Sequence, residues 1–214
     1  MSALITGAAG GLGQALVVSL RDAGVNVLAP GKDELDVACA ESLKAFIAQA
    51  GQVDLLVCNA GLTIDKPLAR MSGEDWSRVM DVNLKGAFLC AREVARQMVK
   101  RRNGHILFVS SFSALHPPVG QVNYSAAKSA LLGMMKSMAQ ELGGRNVRVN
   151  AILPGFLETK MTADLSDEAR AAVEQRHVLG RFNTPEVAAG FVLHLHQHMP
   201  HTSGQVFNLD SRIL

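Results

Sequence analysis

The chain has 214 residues, 48% of them hydrophobic and 19% charged, which suits one domain with a substantial core and excludes a disordered or collagen-like chain. Its three cysteines, Cys39, Cys58 and Cys90, are odd in number and far apart. That excludes a disulfide framework and a zinc ribbon and points to a reducing, cytoplasmic setting. The net charge of +2 is of mixed sign, with one dense basic cluster at Lys100-Arg101-Arg102, so no nucleic-acid partner is expected; without a leader pattern or a run of about 18 apolar residues, neither is secretion or a membrane.

Apolar β-rich runs alternate with helical patterns from end to end, which predicts a doubly wound parallel sheet with helices on both faces, in a single three-layer domain over 1–214. Strands are expected at Ala3–Thr6, Val25–Ala29, Asp54–Asn59, His105–Ser110, Arg148–Leu153 and Gln205–Leu209. Helical patterns fall at about Leu12–Ala23, Glu41–Ala50, Glu74–Lys100, Val122–Leu142 and Pro185–His198. The polar stretch after Thr159 interrupts the alternation, and residues 159–180 are expected to cover the substrate, since long excursions from a rigid scaffold carry such contacts.

The first strand runs into Thr6-Gly7-Ala8-Ala9-Gly10-Gly11-Leu12-Gly13 and then an amphipathic helix. Glycines at a strand-to-helix turn let backbone N–H groups approach a pyrophosphate and bring helix and sheet together. Downstream, Ser111 lies at the end of a strand, and Tyr124 and Lys128 are four residues apart on the next helix, a spacing that stacks them on one face. An ammonium about 5 Å from a phenol oxygen, at an effective dielectric near 20, favours phenolate by about 3 kcal/mol, or roughly 2 pKa units. The tyrosine, the only one in the chain, then becomes a usable acid and base. Ser110 adjoins Ser111, but strand alternation sends it to the other face.

With its T-G-x-x-x-G-x-G turn, Cys58-Asn59-Ala60-Gly61 and the Ser111, Tyr124 and Lys128 set, the sequence resembles the short-chain dehydrogenase/reductase family. The likeness extends over essentially the whole chain and is nearest to its 3-oxoacyl-[acyl-carrier-protein] reductase branch, through Ala151–Thr162 and Gln121–Lys128. The resemblance implies that Ser111 orients a substrate carbonyl, Tyr124 exchanges its proton, Lys128 also binds the nicotinamide ribose and Asn83 holds a water in a proton relay. It assigns the cofactor to Gly7, Gly10, Gly11, Leu12 and Gly13, to Asn59, Ala60 and Gly61, and to Pro154, Gly155, Leu157 and Thr159. The implied activity is NAD(P)H-dependent reduction of a ketone, most nearly a 3-oxoacyl thioester on a carrier protein or CoA, in fatty acid biosynthesis. A homotetramer or homodimer built on the two long helices is expected. Alternatives are an NAD-linked dehydrogenase of a sugar, steroid or other secondary alcohol, and a nucleotide-sensing protein without catalysis.

Gly31-Lys32 occupies the positions where this family discriminates its cofactors and resembles NADPH-using members, so NADP(H) is favoured over NAD(H). Leu35-Asp36-Val37 resembles the motif after the family's third strand, whose Asp meets adenine, and assigns Asp36 and Val37 to the cofactor. Only five residues, Pro30 to Glu34, separate it from the second strand, whereas a parallel neighbour needs a crossover of about a dozen. The usual third strand and the helix before it are therefore expected to be shortened or missing. Asn208-Leu209-Asp210-Ser211-Arg212 also departs from the family's Asp-Gly-Gly. Arg102 and Arg145 fall where carrier-dependent members hold basic residues. The histidines at 194, 196, 198 and 201 lack a carboxylate or cysteine at ligand spacing, so no metal is expected.

Overall fold

Strands that are apolar on both faces require helices on both sides, and the chain supplies them. The computed structural model describes residues 1–159, 162–163 and 166–214. Six strands, β1 (Ser2–Ile5), β2 (Asn26–Leu28), β3 (Leu55–Cys58), β4 (Gly104–Val109), β5 (Val147–Leu153) and β6 (Val206–Asn208), form one parallel sheet in the order β2-β1-β3-β4-β5-β6. Helices α1 (Gly11–Asp22) and α7 (Pro185–His198) pack on one face, and α2 (Ala40–Gln49), α4 (Gly86–Arg101) and α5 (Val122–Leu142) on the other.

Strand alternation divides the core between these layers. Leu4, Leu56 and Phe108 enter the α2, α4 and α5 side, and Ile5, Val57 and Leu107 enter the α1 and α7 side. Each of these six is fully buried, a gain of roughly 1.5–3 kcal/mol apiece for side chains of this size.

Two details decide where a site can lie. The expected helix over Glu74–Lys100 is divided: α3 (Gly73–Met80) passes through one π-helical turn, Asp81–Lys85, into α4. A π-turn inserts one residue and rotates the rest of the helix about its axis, and it carries Asn83. Near the excursion, α6 (Asp167–Glu174) is capped by the Ser166 hydroxyl, which accepts from the Ala169 N–H, and buries none of its residues.

The truncated edge is also present. β2 is the edge strand, and the chain turns after it at Gly31, whose N–H donates to the Glu34 carboxylate at 2.8 Å. Leu35-Asp36-Val37 forms no strand, although Leu35 and Val37 still reach the core. Because β1 stands between β2 and β3, the strand order reverses there, and the crevice at the carboxyl ends of β1 and β3 is where such sheets bind ligands.

Close helix-to-sheet contact at that crevice depends on Gly13, where a Cβ would lie 2.4 Å from the Gly7 carbonyl oxygen. Gly13→Ala is expected to lower unfolding free energy by about 1–3 kcal/mol through overpacking. Gly190→Ala on α7, with open space around it, is expected to be neutral or to stabilise by up to about 1 kcal/mol. Urea unfolding of the two variants checks the pair.

Candidate active site

The turns after β1 and β3 are fastened to each other. The Thr6 hydroxyl accepts from the N–H groups of Asn59 and Ala60, both at 3.1 Å, and the Asn59 side-chain amide donates to the carbonyls of Thr6 and Gly7 at 3.1 and 2.9 Å. Gly7 has φ +65°, and a Cβ there would lie 2.7 Å from the Ala60 Cα. Glycine is the residue that satisfies both demands. This small-residue contact leaves the N-terminus of α1 open: Gly10 is its cap and provides no side-chain bond to the first-turn N–H groups.

A second fastening joins the end of β4 to α5. The Ser110 hydroxyl donates to the Lys128 carbonyl at 2.8 Å, and the Lys128 ammonium donates to the Val109 carbonyl, also at 2.8 Å. Between these crossed bonds Ser111 leaves the strand to cap a short 3-10 turn, Phe112–Ala114, its Oγ accepting from the Ser113 N–H at 3.1 Å. Tyr124 lies one helical turn before Lys128, with the ammonium 5.6 Å from its ring centre and the Ser111 hydroxyl near enough to its phenol to favour the phenolate. Asn83 completes the group from the π-turn. Its side-chain N–H groups donate to the carbonyls of Leu62 and Val79, each at 2.9 Å, while its buried Oδ1 has no partner. Gly61 closes the circle, since a Cβ there would lie 2.7 Å from Asn83 Oδ1 and 3.6 Å from Lys128 Nζ.

The electrostatics differ from the sequence expectation in one respect. Crowding raises the pKa of Tyr124 despite the opposing Ser111 hydrogen bond, and the Asp65 carboxylate adds to the rise. The same burial pulls Lys128, 3% exposed, down to about 8. Desolvation opposes phenolate and ammonium alike, so it outweighs the attraction that spacing alone suggests. Tyr124 therefore holds its proton at neutral pH, as an acid must.

A family model described as short chain dehydrogenase matches residues 34–170. Three similar curated proteins bear the name 3-oxoacyl-[acyl-carrier-protein] reductase. The protein from Thermotoga maritima is 39% identical over 99% of this chain and 96% of its own length, and that from Aquifex aeolicus 38% over 97% and 94%. The one from Synechocystis is 36% identical over 97% and 94%. The chain belongs to the short-chain dehydrogenase family. A nicotinamide cofactor comes with that membership, and the open α1 terminus, the Gly7 and Gly11 contacts and the unpartnered Asn83 oxygen fit one. A Cβ on Gly11 would meet the Thr159 methyl at 2.6 Å, so the glycine turn after β1 and the segment that the resemblance assigns to the nicotinamide lie against each other.

The other assigned residues occupy several parts of the fold. Leu12 is buried in α1 beside Gly10 and Gly13. Pro154, Gly155, Leu157 and Thr159 come directly after β5 in sequence; the Pro154 carbonyl accepts from the Asn183 amide, and the Thr159 N–H donates to the Thr162 hydroxyl at 3.0 Å. Lys32 is exposed on the Gly31 turn. Asp36 Oδ1 accepts from the Ala38 N–H at 2.9 Å, and Val37 packs beneath Gly86, so both help to shape the truncated edge. The rings of His194 and His198 lie 5.1 Å apart and tilted by 39°, and no group of three potential metal ligands converges among the described residues.

Sequence reasoning set Ser110 aside as non-catalytic and missed that it carries half of the β4 to α5 fastening; its position before Ser111 was the available signal. Buried Lys128 costs stability, since a shift from 10.5 to about 8 corresponds to about 3 kcal/mol against the charged form. Lys128→Met is therefore expected to raise unfolding free energy at pH 7 by about 1–2 kcal/mol, net of the lost bond to Val109, and to lower turnover more than about a hundredfold. The folded-state value lies below the unfolded one, so the penalty is fully present below pH 8 and disappears as pH rises toward the ordinary lysine value near 10.4. Denaturant midpoints of parent and variant should approach each other and cross within that window, leaving the parent the more stable above it; a variant less stable at pH 7, by a margin independent of pH, contradicts the assignment.

Proposed function

We propose that this protein reduces a 3-oxoacyl thioester, presented on acyl-carrier protein or CoA, to the 3-hydroxyacyl thioester. The observation that carries this reading is the convergence of Ser111, Tyr124, Lys128 and Asn83 at the carboxyl ends of the central strands. Tyr124 is the general acid that protonates the ketone oxygen, and Ser111 donates a hydrogen bond to that same oxygen. Lys128 holds positive charge beside the phenol. The Asn83 oxygen accepts an ordered water through which Tyr124 is resupplied with a proton. The nicotinamide cofactor, when bound, supplies the hydride. NADP(H) is the preferred form on the strength of exposed Lys32, suited to a 2′-phosphate. The segment 159–180, of which residues 160, 161, 164 and 165 lie outside the described residues, covers the substrate, with α6 as its described helix.

An NAD(H)-linked secondary-alcohol dehydrogenase is the second reading, favoured by Glu34, whose carboxylate folds against Gly31 beside Lys32. Tyr124→Phe is expected to lower acetoacetyl-CoA reduction by at least about a thousandfold while NADPH binding, followed by cofactor fluorescence, stays within about twofold. Turnover near the parental rate would overturn the mechanism. Tighter binding of NADH than NADPH, with turnover of secondary alcohols but not thioesters, would select the second reading.

Carrier recognition falls to Arg102 and Arg145. The Arg102 guanidinium donates to the Gly144 carbonyl at 3.0 Å and the Asn146 amide to the Arg102 carbonyl, also at 3.0 Å, which brings the two basic residues to one surface. An acidic carrier fits there, and a homodimer through α4 and α5 would use the separate apolar hollow lined by Leu84, Phe88 and Met134, toward the opposite end of α4. Arg102→Glu with Arg145→Glu is expected to raise KM for an acyl-carrier-protein substrate about tenfold at low salt and to leave acetoacetyl-CoA kinetics unchanged. Equal effects on both substrates would remove the carrier from this surface.

A further inference from the structure

The segment Asn208–Arg212 departs from the family pattern, and its side chains reach the catalytic turn. The Arg212 guanidinium carbon lies 3.9 Å from the centre of the Phe112 ring, and Phe112 comes directly after Ser111. The guanidinium is held from behind: its Nε–H donates to Asp210 Oδ2 at 2.7 Å, and the Arg212 backbone N–H donates to Asp210 Oδ1 at 3.1 Å.

Asp210 is itself immobilised. Its side chain is 1% exposed and lies 3.3 Å from His177 Nε2. It also fills the space over Gly155, where φ is +93° and a Cβ would lie 2.7 Å from the Asp210 Cβ. The Asn208 amide donates to the carbonyls of Asp210 and Arg212, at 3.3 and 2.8 Å, and closes the segment on itself. The ring at the other end is no freer, because Phe112 also stacks with His116 at 4.5 Å.

We propose that Arg212 is a positioning residue for Ser111, acting through the Phe112 ring. The inference rests on the reading that Ser111 polarises the substrate ketone. Ser111 Oγ is aimed by the short turn that begins at Phe112, and Ala114 closes that turn with an N–H bond to the Ser111 carbonyl at 3.0 Å. A planar cation on the ring fixes the ring, and the ring fixes the turn. Asp210 serves Arg212 as counterion and anchor, and through His177 it ties the same element to the chain just beyond α6.

The readout is the proton affinity of Tyr124. The groups that bear on that phenol are Ser111, which lowers its pKa by hydrogen bonding, Asp65, which raises it, and Lys128, 5.6 Å from its ring centre. A displaced Ser111 therefore shifts the alkaline rise in 3-hydroxybutyryl-CoA oxidation with NADP+ to higher pH, in the direction that Ser111→Ala shifts it. Arg212→Ala and Phe112→Leu are each expected to lower kcat about tenfold with that alkaline shift, and to keep NADPH affinity within about twofold. The double variant should be no worse than the worse single, as for two parts of one device. Arg212→Lys retains a counterion for Asp210 but no flat group for the ring, so it should behave like the alanine variant, and it replaces that variant if the latter fails to fold. A parental pH profile in the Arg212 variants, or a lower kcat with the profile unmoved, overturns the inference. A Tyr124→Phe protein that retains turnover removes the underlying site reading instead, so the two failures are told apart.

Discussion

The crossed hydrogen bonds between the end of β4 and α5 are the constraint on which the catalytic geometry depends. Ser110 reaches the Lys128 carbonyl, and Lys128 reaches back to the Val109 carbonyl. Together they fix both the height of the helix along the strand and its rotation, because one bond involves helix backbone and the other a helix side chain. Ser111, which leaves the end of β4 to cap the Phe112–Ala114 turn, and Tyr124, one turn before Lys128 on α5, both start from this fastened junction. Rigid elements hold functional groups more closely than loops do, and here the lysine proposed to take part in the chemistry is also a structural fastener.

That double use has an electrostatic consequence. A lysine with its ammonium committed to a buried carbonyl cannot sit in solvent, so its charge is disfavoured by burial. The phenol beside it is disfavoured as phenolate for the same reason, with a hydrogen bond from Ser111 working the other way. The site is thus poised toward a neutral tyrosine, suited to donating a proton to a ketone, and the cost is a buried cation. Sites that trade stability for function in this way are expected where a local rule is broken without an evident packing gain.

Much of this was legible in the sequence because it is written in short-range spacing. The parallel sheet, the two-sided core, the glycine turn and the i,i+4 pair on α5 are all patterns of period two or 3.6, or of fixed small offsets. The missing strand was legible for a similarly simple reason: five residues after β2 cannot span a crossover. What escaped were properties of the third dimension. Periodicity over Glu74–Lys100 reads as one helix and cannot register a single inserted residue, so the π-turn that carries Asn83 was invisible. The sign of the Tyr124 shift depends on how much protein surrounds the phenol, which no spacing encodes. Asp210 and Arg212 are two residues apart but become meaningful only against Phe112 and His177, which lie far away in the chain.

The truncated edge bears on chemistry less than its size suggests, and the topology says why. The strand order reverses between β1 and β3, so everything contributed by β2 and the Gly31 turn lies on one side of the crevice. Ser111, Tyr124, Lys128 and the Pro154–Thr159 segment come from β4, α5 and the chain after β5, on the other side. Loss of a strand and a helix beyond β2 removes wall from the region assigned to the adenosine end, while the bonds of Thr6 to Asn59 and Ala60 hold the turns after β1 and β3 together at the floor of the crevice. Val37, retained from the trimmed region, still plugs the core beneath Gly86, where α4 leaves the π-turn of Asn83. A residue kept from the trimmed region thus supports the start of α4, next to the π-turn of Asn83. That is the sense in which a shortened edge is compatible with an intact catalytic set.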